Sequence, residues 1–445
     1  MVEQRPFKAL VAGSSPAQPN FMMNSISLAC WFSALSTLFV ATSLTAADSG
    51  PAAMATNEVG VDLYRKLATG GGNLCLSPYS IEGALAMTFA GADGQTREEM
   101  ARVLHLSKDD SIHASFEALQ RQLREMSEKS AIEVADSGEL GGPKEPITLS
   151  IANRLFAQKG YDFRDTFFAL VKERYGAPLE LVDFVKNPSG ATQQINGWVL
   201  EQTRQRIRDL IPRDALNAAT RLVLANAIYL KAPWATAFSA DHTKPEPFHV
   251  RGDAPVNVPT MRGHELSCGY AKRNGFTAVS IPYVGSDLQF VVLLPDDVNG
   301  IGALEKTMTS AMLAEWAKLE RQALDLYLPK FKFEPPTLNL GSTLQALGMK
   351  TAFDKPPGSA NFDRMAPRKP DDYLYISAVF HKTFIAVDEK GTEAAAATAV
   401  VMARATGMRN PTKPLEVKID RPFVYAIQHI PSGTCLFVGR VTDPR

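Results

Sequence analysis

Acidic and basic side chains are both missing from positions 9 to 47 of this 445-residue chain. A folded, solvated surface is built largely from such residues, so this stretch does not read as part of a globular domain. A disulfide framework is missing too, because four cysteines in so long a chain cannot staple a small secreted scaffold. Charge of one sign is not in excess. The 47 Lys+Arg balance the 47 Asp+Glu, and a formal net charge of zero gives no overall field to recruit nucleic acid or an anionic membrane. No Gly-x-Ser-x-Gly elbow, phosphate loop or dinucleotide fingerprint occurs. His264-Glu265 opens like a zinc-protease helix, but Cys268 stands where the second His is needed, and the seven histidines show no pair at ligand spacing. Neither metal nor cofactor is therefore expected, and the chain reads as a binding or mechanical protein rather than an enzyme.

What is present begins with an apolar run over 25–45, SISLACWFSALSTLFVATSLT, followed by Ala46-Ala47-Asp48. This reads as a secretory signal cleaved near Ala46 or Ala47, and its length also admits a retained membrane anchor. A signal of conventional length starts at Met22 or Met23. Cys30 lies at the front of the run, where a lipid-attachment cysteine would not be. The expected organisation is an extension and signal over 1–47, then one domain over 48–445. The product is expected to be secreted or periplasmic, with no membrane association once the signal is removed. Three cysteines then remain, Cys75, Cys268 and Cys435, an odd number that cannot pair completely.

From Asn57 onward no linker divides the chain; the richest candidate, 137–146, is a short loop. Helical periodicity appears at 81–89, 97–104, 115–126 and 188–203, the last burying Ile195, Trp198 and Val199. Short β-branched or apolar runs follow at 221–231, 288–294, 326–328 and 373–379. Positions 423–427 and 435–441, joined by Pro431-Ser432-Gly433, predict a buried hairpin. Strands not spaced by regular helices argue against βαβ units and for one α+β domain.

Positions 391–403 read Gly-Thr-Glu-Ala-Ala-Ala-Ala-Thr-Ala-Val-Val-Met-Ala, with no proline and no charge after Glu393 until Arg404. Propensity alone would make this an alanine-rich helix. Its context is different, since it follows a β-like run at 383–388 and precedes a Gly/Pro-broken stretch at 406–414. The alternate residues Thr392, Ala394, Ala396, Thr398, Val400 and Met402 are all small or apolar. Such a segment can enter the middle of a sheet, where proline would delete a ladder bond and a large or charged inward group would not fit. Thirteen residues at roughly 3.3 Å each span about 43 Å, the height of a large sheet.

At these residues the chain resembles the serpins. Asn73-Leu-Cys-Leu-Ser-Pro-Tyr-Ser-Ile81 with Gly91-Ala-Asp-Gly-Gln-Thr96 is similar to the family's second helix and the turn after it. Asn226-Ala-Ile-Tyr-Leu-Lys231 with Trp234 resembles the central strand leading to the breach at the top of the main sheet. Val387-Asp-Glu-Lys-Gly-Thr-Glu-Ala-Ala-Ala-Ala-Thr398 resembles the hinge of inhibitory members, and Arg421-Pro-Phe423 with Leu436-Phe-Val-Gly-Arg-Val441 the closing signature.

The resemblance implies an α+β fold of three β-sheets and eight to nine helices, with an exposed reactive-centre loop at about 389–414. It implies irreversible inhibition of a serine, or in some cases cysteine, protease. The protease cleaves the loop and is held covalently as an acyl-enzyme while the loop inserts as a new strand. Glu389, Gly391, Thr392, Ala394, Ala396 and Thr398 would form the hinge. Ser77, Ser80, Asn226 and His381 would form the shutter beneath the sheet, and Lys330 would pair with Glu389 across the breach near Trp234. Asp388 departs from the family's usual Asn. Arg121, Arg124 and Lys129 are offset by Glu117, Glu125 and Glu128, so no heparin site is expected, and the protein is expected to be a monomer. Counting seventeen residues from Glu389 places the scissile bond at Ala405-Thr406; the charge of Arg404 favours Arg404-Ala405 instead. The alternative reading is a non-inhibitory serpin acting as a carrier, binding protein or chaperone. Such members usually carry a charged or bulky residue where Thr392 stands, or proline among the alanines.

Overall fold

The structure, a computed structural model, describes residues 48–137, 142–250, 254–393 and 414–445. All of them belong to one compact unit, Ala46–Arg445. The proposed signal, together with Ala394, Ala396, Thr398, Arg404, Ala405 and Thr406, lies outside the described residues.

Local chemistry sets the central helix. Ser77 is extended and its hydroxyl accepts the Ser80 N–H, while Pro78 opens the Pro78–Gly91 helix at a position where its missing N–H costs nothing. Every residue of that helix is buried, so it runs through the core rather than along the surface. The expected helices at 97–104 and 115–126 are found as Gly94–Val103 and the longer Ser111–Ser137, and the fourth as Pro188–Gln202, capped by Asn187. Gly50–Leu67, a helix not anticipated, packs its Val59, Leu63 and Tyr64 into the same core. Nine α-helices lie among the described residues.

One sheet positions the site. Its strands are β1 (Thr148–Gln158), β2 (Glu180–Val182), β3 (Leu222–Pro233), β4 (Phe331–Phe333), β5 (Leu338–Asn339), β6 (Ile376–Thr383), β7 (Ile385–Asp388) and β8 (Gly391–Thr392). The hydrogen-bonded order is β4-β7-β8-β3-β6-β5, with β1 against the other side of β3 and β2 beyond it. Side chains of β3 alternate with period two. Leu222, Leu224, Ile228 and Leu230 enter the main core, whereas Val223, Ala225 and Ala227 face Ile195 and Val199 of the Pro188–Gln202 helix. Both faces are thus covered, which explains the nearly continuous apolar run at 221–231. The strand expected at 373–379 begins and ends later, as β6, because Tyr373 and Tyr375 lie outside the ladder.

The remaining strands form a nine-stranded assembly. Next to its edge strand Leu74–Leu76 lies the buried hairpin Phe423–His429 and Thr434–Val441, in antiparallel register from Phe423 opposite Val441. The resemblance implies three sheets. Here the second and third are joined through one long strand, Val256–Arg273, which pairs with Phe276–Pro282 near one end and with Lys244–Phe248 near the other. Cys75, Cys268 and Cys435 are all free and buried.

Candidate functional site

The parallel pairing of β3 and β6 runs from Leu222 opposite Ile376 up to Ile228 opposite Thr383. Above that level the two strands part, and β8 lies between β3 and β7, antiparallel to each. The chain reaches this slot by a tight reversal in which the Asp388 carboxylate accepts the Lys390 N–H at 2.9 Å. Glycine is required at 391, because a Cβ there would sit 2.1 Å from the Ala232 carbonyl oxygen. Thr392 is only 2% exposed, and its hydroxyl meets that of the buried Tyr283. The Tyr283 ring in turn stacks on Trp234, with centroids 4.6 Å apart and planes 8° from parallel.

Trp234 ties the reversal to the sheet. Its indole N–H donates to the Asp388 carbonyl at 2.9 Å and its backbone N–H to the Lys390 carbonyl at 2.8 Å. Phe238 donates its backbone N–H to the Glu389 carbonyl at 2.8 Å. The Glu389 carboxylate accepts from Lys330 Nζ at 2.7 and 3.0 Å and from Thr243 Oγ1 at 2.8 Å. Desolvation alone would raise this carboxyl; the bonds from Lys330 and Thr243 outweigh it and hold Glu389 below its usual range. Asp388 goes the other way, pushed up mainly by burial.

One residue past β8, Glu393 turns into the left-handed region at φ +44° while its N–H still donates to the Ala386 carbonyl at 2.7 Å. Its side chain is 8% exposed and forms an ion pair with Arg206 Nε. Burial pushes this carboxyl up despite the attraction of Arg206, Lys231 and Lys332.

Below the parting point lies a polar network under the sheet. His381 stands opposite Asn226 in the β6–β3 register, and Asn153 stands opposite Asn226 on the other side. The Ser77 N–H donates to His381 Nε2 at 3.0 Å, so the ring proton is on Nδ1 and is donated to Asn226 Oδ1. Burial, the main cause, pushes the His381 pKa down to about 3, so the ring is neutral. Ser77 Oγ donates to the Leu436 carbonyl at 2.6 Å, and Ser80 Oγ donates to Asn153 Oδ1 at 2.7 Å. The Asn226 amide nitrogen is buried and finds no acceptor among the described residues.

The structure therefore brings Glu389, Gly391, Thr392, Trp234 and Lys330 together at one end of the sheet, and Ser77, Ser80, Asn226 and His381 together lower down. It adds Tyr283, Thr243, Asn153, Arg206 and Glu393, which sequence reasoning did not single out for the site. Tyr283 lies 109 residues from Thr392 and Thr243 lies 146 from Glu389, separations across which no local pattern points. Chemically the site has no nucleophile with an assembled base. Its distinctive property is a half-open seam holding the first two residues of a strand.

The family described as "Serpin (serine protease inhibitor)" matches residues 54–444. The leukocyte elastase inhibitor of Bos taurus is 37% identical over 402 residues, covering 88% of this chain and 98% of that protein. Among solved structures, Serpin48 of the insect Tenebrio molitor, described as a highly specific serpin, superposes with a TM-score of 0.72 at 31% identity. That match covers 88% of this chain and 97% of Serpin48. The thermophilic serpin tengpin, in its native state, gives a TM-score of 0.74 at 26% identity over 88% of this chain and 94% of its own.

Proposed function

The chain belongs to the serpin family, and on that premise we propose that it is an irreversible, suicide-type inhibitor of a serine protease. The observation that carries this reading is β8, a two-residue strand already seated between β3 and β7 while β3 and β6 remain zipped below it. In this reading the protease serine attacks a loop carbonyl. The peptide bond breaks, its nitrogen leaves with the proton as the new amino terminus, and an ester joins the loop to the protease. The freed loop then continues the strand that β8 begins.

The driving force follows from the sheet. Insertion exchanges one parallel ladder, β3 with β6, for two antiparallel ones, one on each side of the new strand. Each added backbone bond contributes about 1 kcal/mol net, so about a dozen residues contribute a total on the order of 10 kcal/mol. The uncleaved protein is then a kinetic trap rather than the lowest state. Because Thr392 faces inward, continuation of the alternation turns Ala394, Ala396 and Thr398 inward too, and their small size suits passage over the buried Pro78–Gly91 helix. Secretion by the residue 1–47 signal, a monomeric state and reactive-bond residues Ala405-Thr406 belong to the same proposal.

Incubation with a panel of serine proteases, read on denaturing gels, tests it. A covalent band of summed mass is expected with at least one protease. Cleavage of the loop by every protease, without that band, would replace inhibition by the carrier or chaperone reading.

A further inference from the structure

Seating of the hinge brings a carboxylate with it. Lys332 on β4 pairs with Ala386 on β7, and Thr392 pairs with Ala232 on β3. Carried one residue further, these ladders set Lys332, Ala386, Glu393 and Lys231 in one row across the sheet, with Glu393 flanked by a lysine on each side. Ala386 is too short to screen Lys332 from it. Lys231 is already engaged by Glu145, and the Lys332 ammonium lies 5.7 Å from the centroid of the Phe384 ring. Arg206, reaching in from the segment after the Pro188–Gln202 helix, makes the direct contact with Glu393. Apart from that ion pair the buried carboxylate accepts no hydrogen bond among the described residues.

A buried charge that loses its partner is held at the full cost of its desolvation. Here the cheapest relief is for Glu393 to turn out to water, and its backbone bond to Ala386 goes with it. Thr392 and Gly391 would then be loosened too, because β8 is only two residues long and Glu393 anchors its open end. We propose that Arg206 is a positioning residue for the hinge: with Lys231 and Lys332 it forms a cationic cradle for Glu393 that keeps β8 seated before any cleavage. Insertion then starts from a strand two residues deep rather than from a free loop. This consequence rests on the inhibitory reading; the seating itself does not.

Hydrogen exchange of the full-length protein, followed by mass spectrometry of peptides spanning residues 386–393, tests the seating without any protease. Arg206→Ala is expected to speed exchange at the Thr392 and Glu393 amides about tenfold or more. Glu393→Gln removes the charge and is expected to stay within about threefold of the wild type, and adding Arg206→Ala to it should change exchange less than about twofold. Should Arg206→Ala misfold, Arg206→Gln takes its place with the same expectations, and Arg206→Lys, which keeps a cation facing Glu393, is expected to stay within about threefold of wild-type protection. The proposal is overturned if Arg206→Ala leaves exchange unchanged, or if it deprotects the Glu393→Gln protein as strongly as the wild type. Gel-stable complex formation by the wild type is read separately, so loss of the inhibitory reading and loss of the cradle give different results.

Discussion

Asn226 and His381 face each other across the parallel seam between β3 and β6 and share a hydrogen bond there. The ladders above them fix what would come between. Thr392 pairs with Val387 and with Ala232, and antiparallel continuation advances one residue on each side per step. Six residues on, an inserted strand would carry Thr398 between Asn226 and His381.

Cleavage of the loop is therefore expected to place Thr398 within hydrogen-bonding distance of Asn226 or His381, giving the unsatisfied Asn226 amide an acceptor. A crystal structure of the cleaved protein checks this, and any residue other than 398 at that level refutes the register. Thr398→Val should slow loop-cleaved unfolding less well than Thr398 does, by about 1 kcal/mol in the barrier, and leave the uncleaved protein within about 0.5 kcal/mol of the wild type.

Thr392→Arg should convert inhibitor to substrate. The position is 2% exposed beneath the Tyr283–Trp234 stack, and a guanidinium placed there loses its water at a cost of several kcal/mol. The attacked bond is remote from it, so cleavage should continue at the wild-type rate while the covalent fraction collapses. Stoichiometry of inhibition measures this, and an unchanged value speaks against insertion through the slot.

Acid should destabilise the protein through its buried histidines. Burial depresses the folded pKa of His381 to about 3, and those of His113 and His429 to about 4, below an unfolded value of about 6.5. The unfolded chain then binds protons that the folded one refuses. The stabilising contribution is complete above about pH 6.5 and is lost as pH falls toward 3 to 4. Each such histidine adds about 1.4 kcal/mol per pH unit to the slope in that window. Chemical denaturation of His381→Gln between pH 7 and 4 should show a slope shallower by about that amount; an identical slope would mean that His381 titrates normally.

The reactive bond is expected between Ala405 and Thr406. Mass spectrometry of the C-terminal peptide released from a denatured complex decides: a new terminus at Thr406 agrees with the count from Glu389, and one at Ala405 assigns the bond to Arg404. A terminus near Met408 or Arg409 contradicts both.

Much of the architecture could be read from residue order because burial writes itself into local pattern. The Phe423–His429 and Thr434–Val441 hairpin is buried throughout and appeared as two apolar runs around Pro431-Ser432-Gly433. The Gly50–Leu67 helix went unnoticed because it begins with Gly50-Pro51 directly after an apolar leader, where a tail is the natural reading. The long strand Val256–Arg273 inside the nine-stranded assembly was equally hidden, since it changes partners along its length and keeps no single period. For the site, the motifs around Ser77, Asn226 and Glu389 could be found by resemblance, but their mutual contacts could not. Tyr283, Thr243 and Arg206 matter only because the topology folds distant segments against the hinge, and an isolated tyrosine or one arginine among the four at 204–213 carries no mark of that in sequence.

The three buried thiols bear on where such a molecule can operate. Burial pushes Cys75 up to about 11 and Cys268 up to about 12, and raises Cys435 as well, so none supplies a thiolate near neutrality. Oxidants and glutathione act on accessible thiolates, and a protonated sulfur sealed in a core offers them nothing. The domain thus owes its cohesion to no covalent cross-link among the described residues and presents no accessible thiol there. Thiol reductants and disulfide-forming oxidants should therefore leave the described domain equally folded.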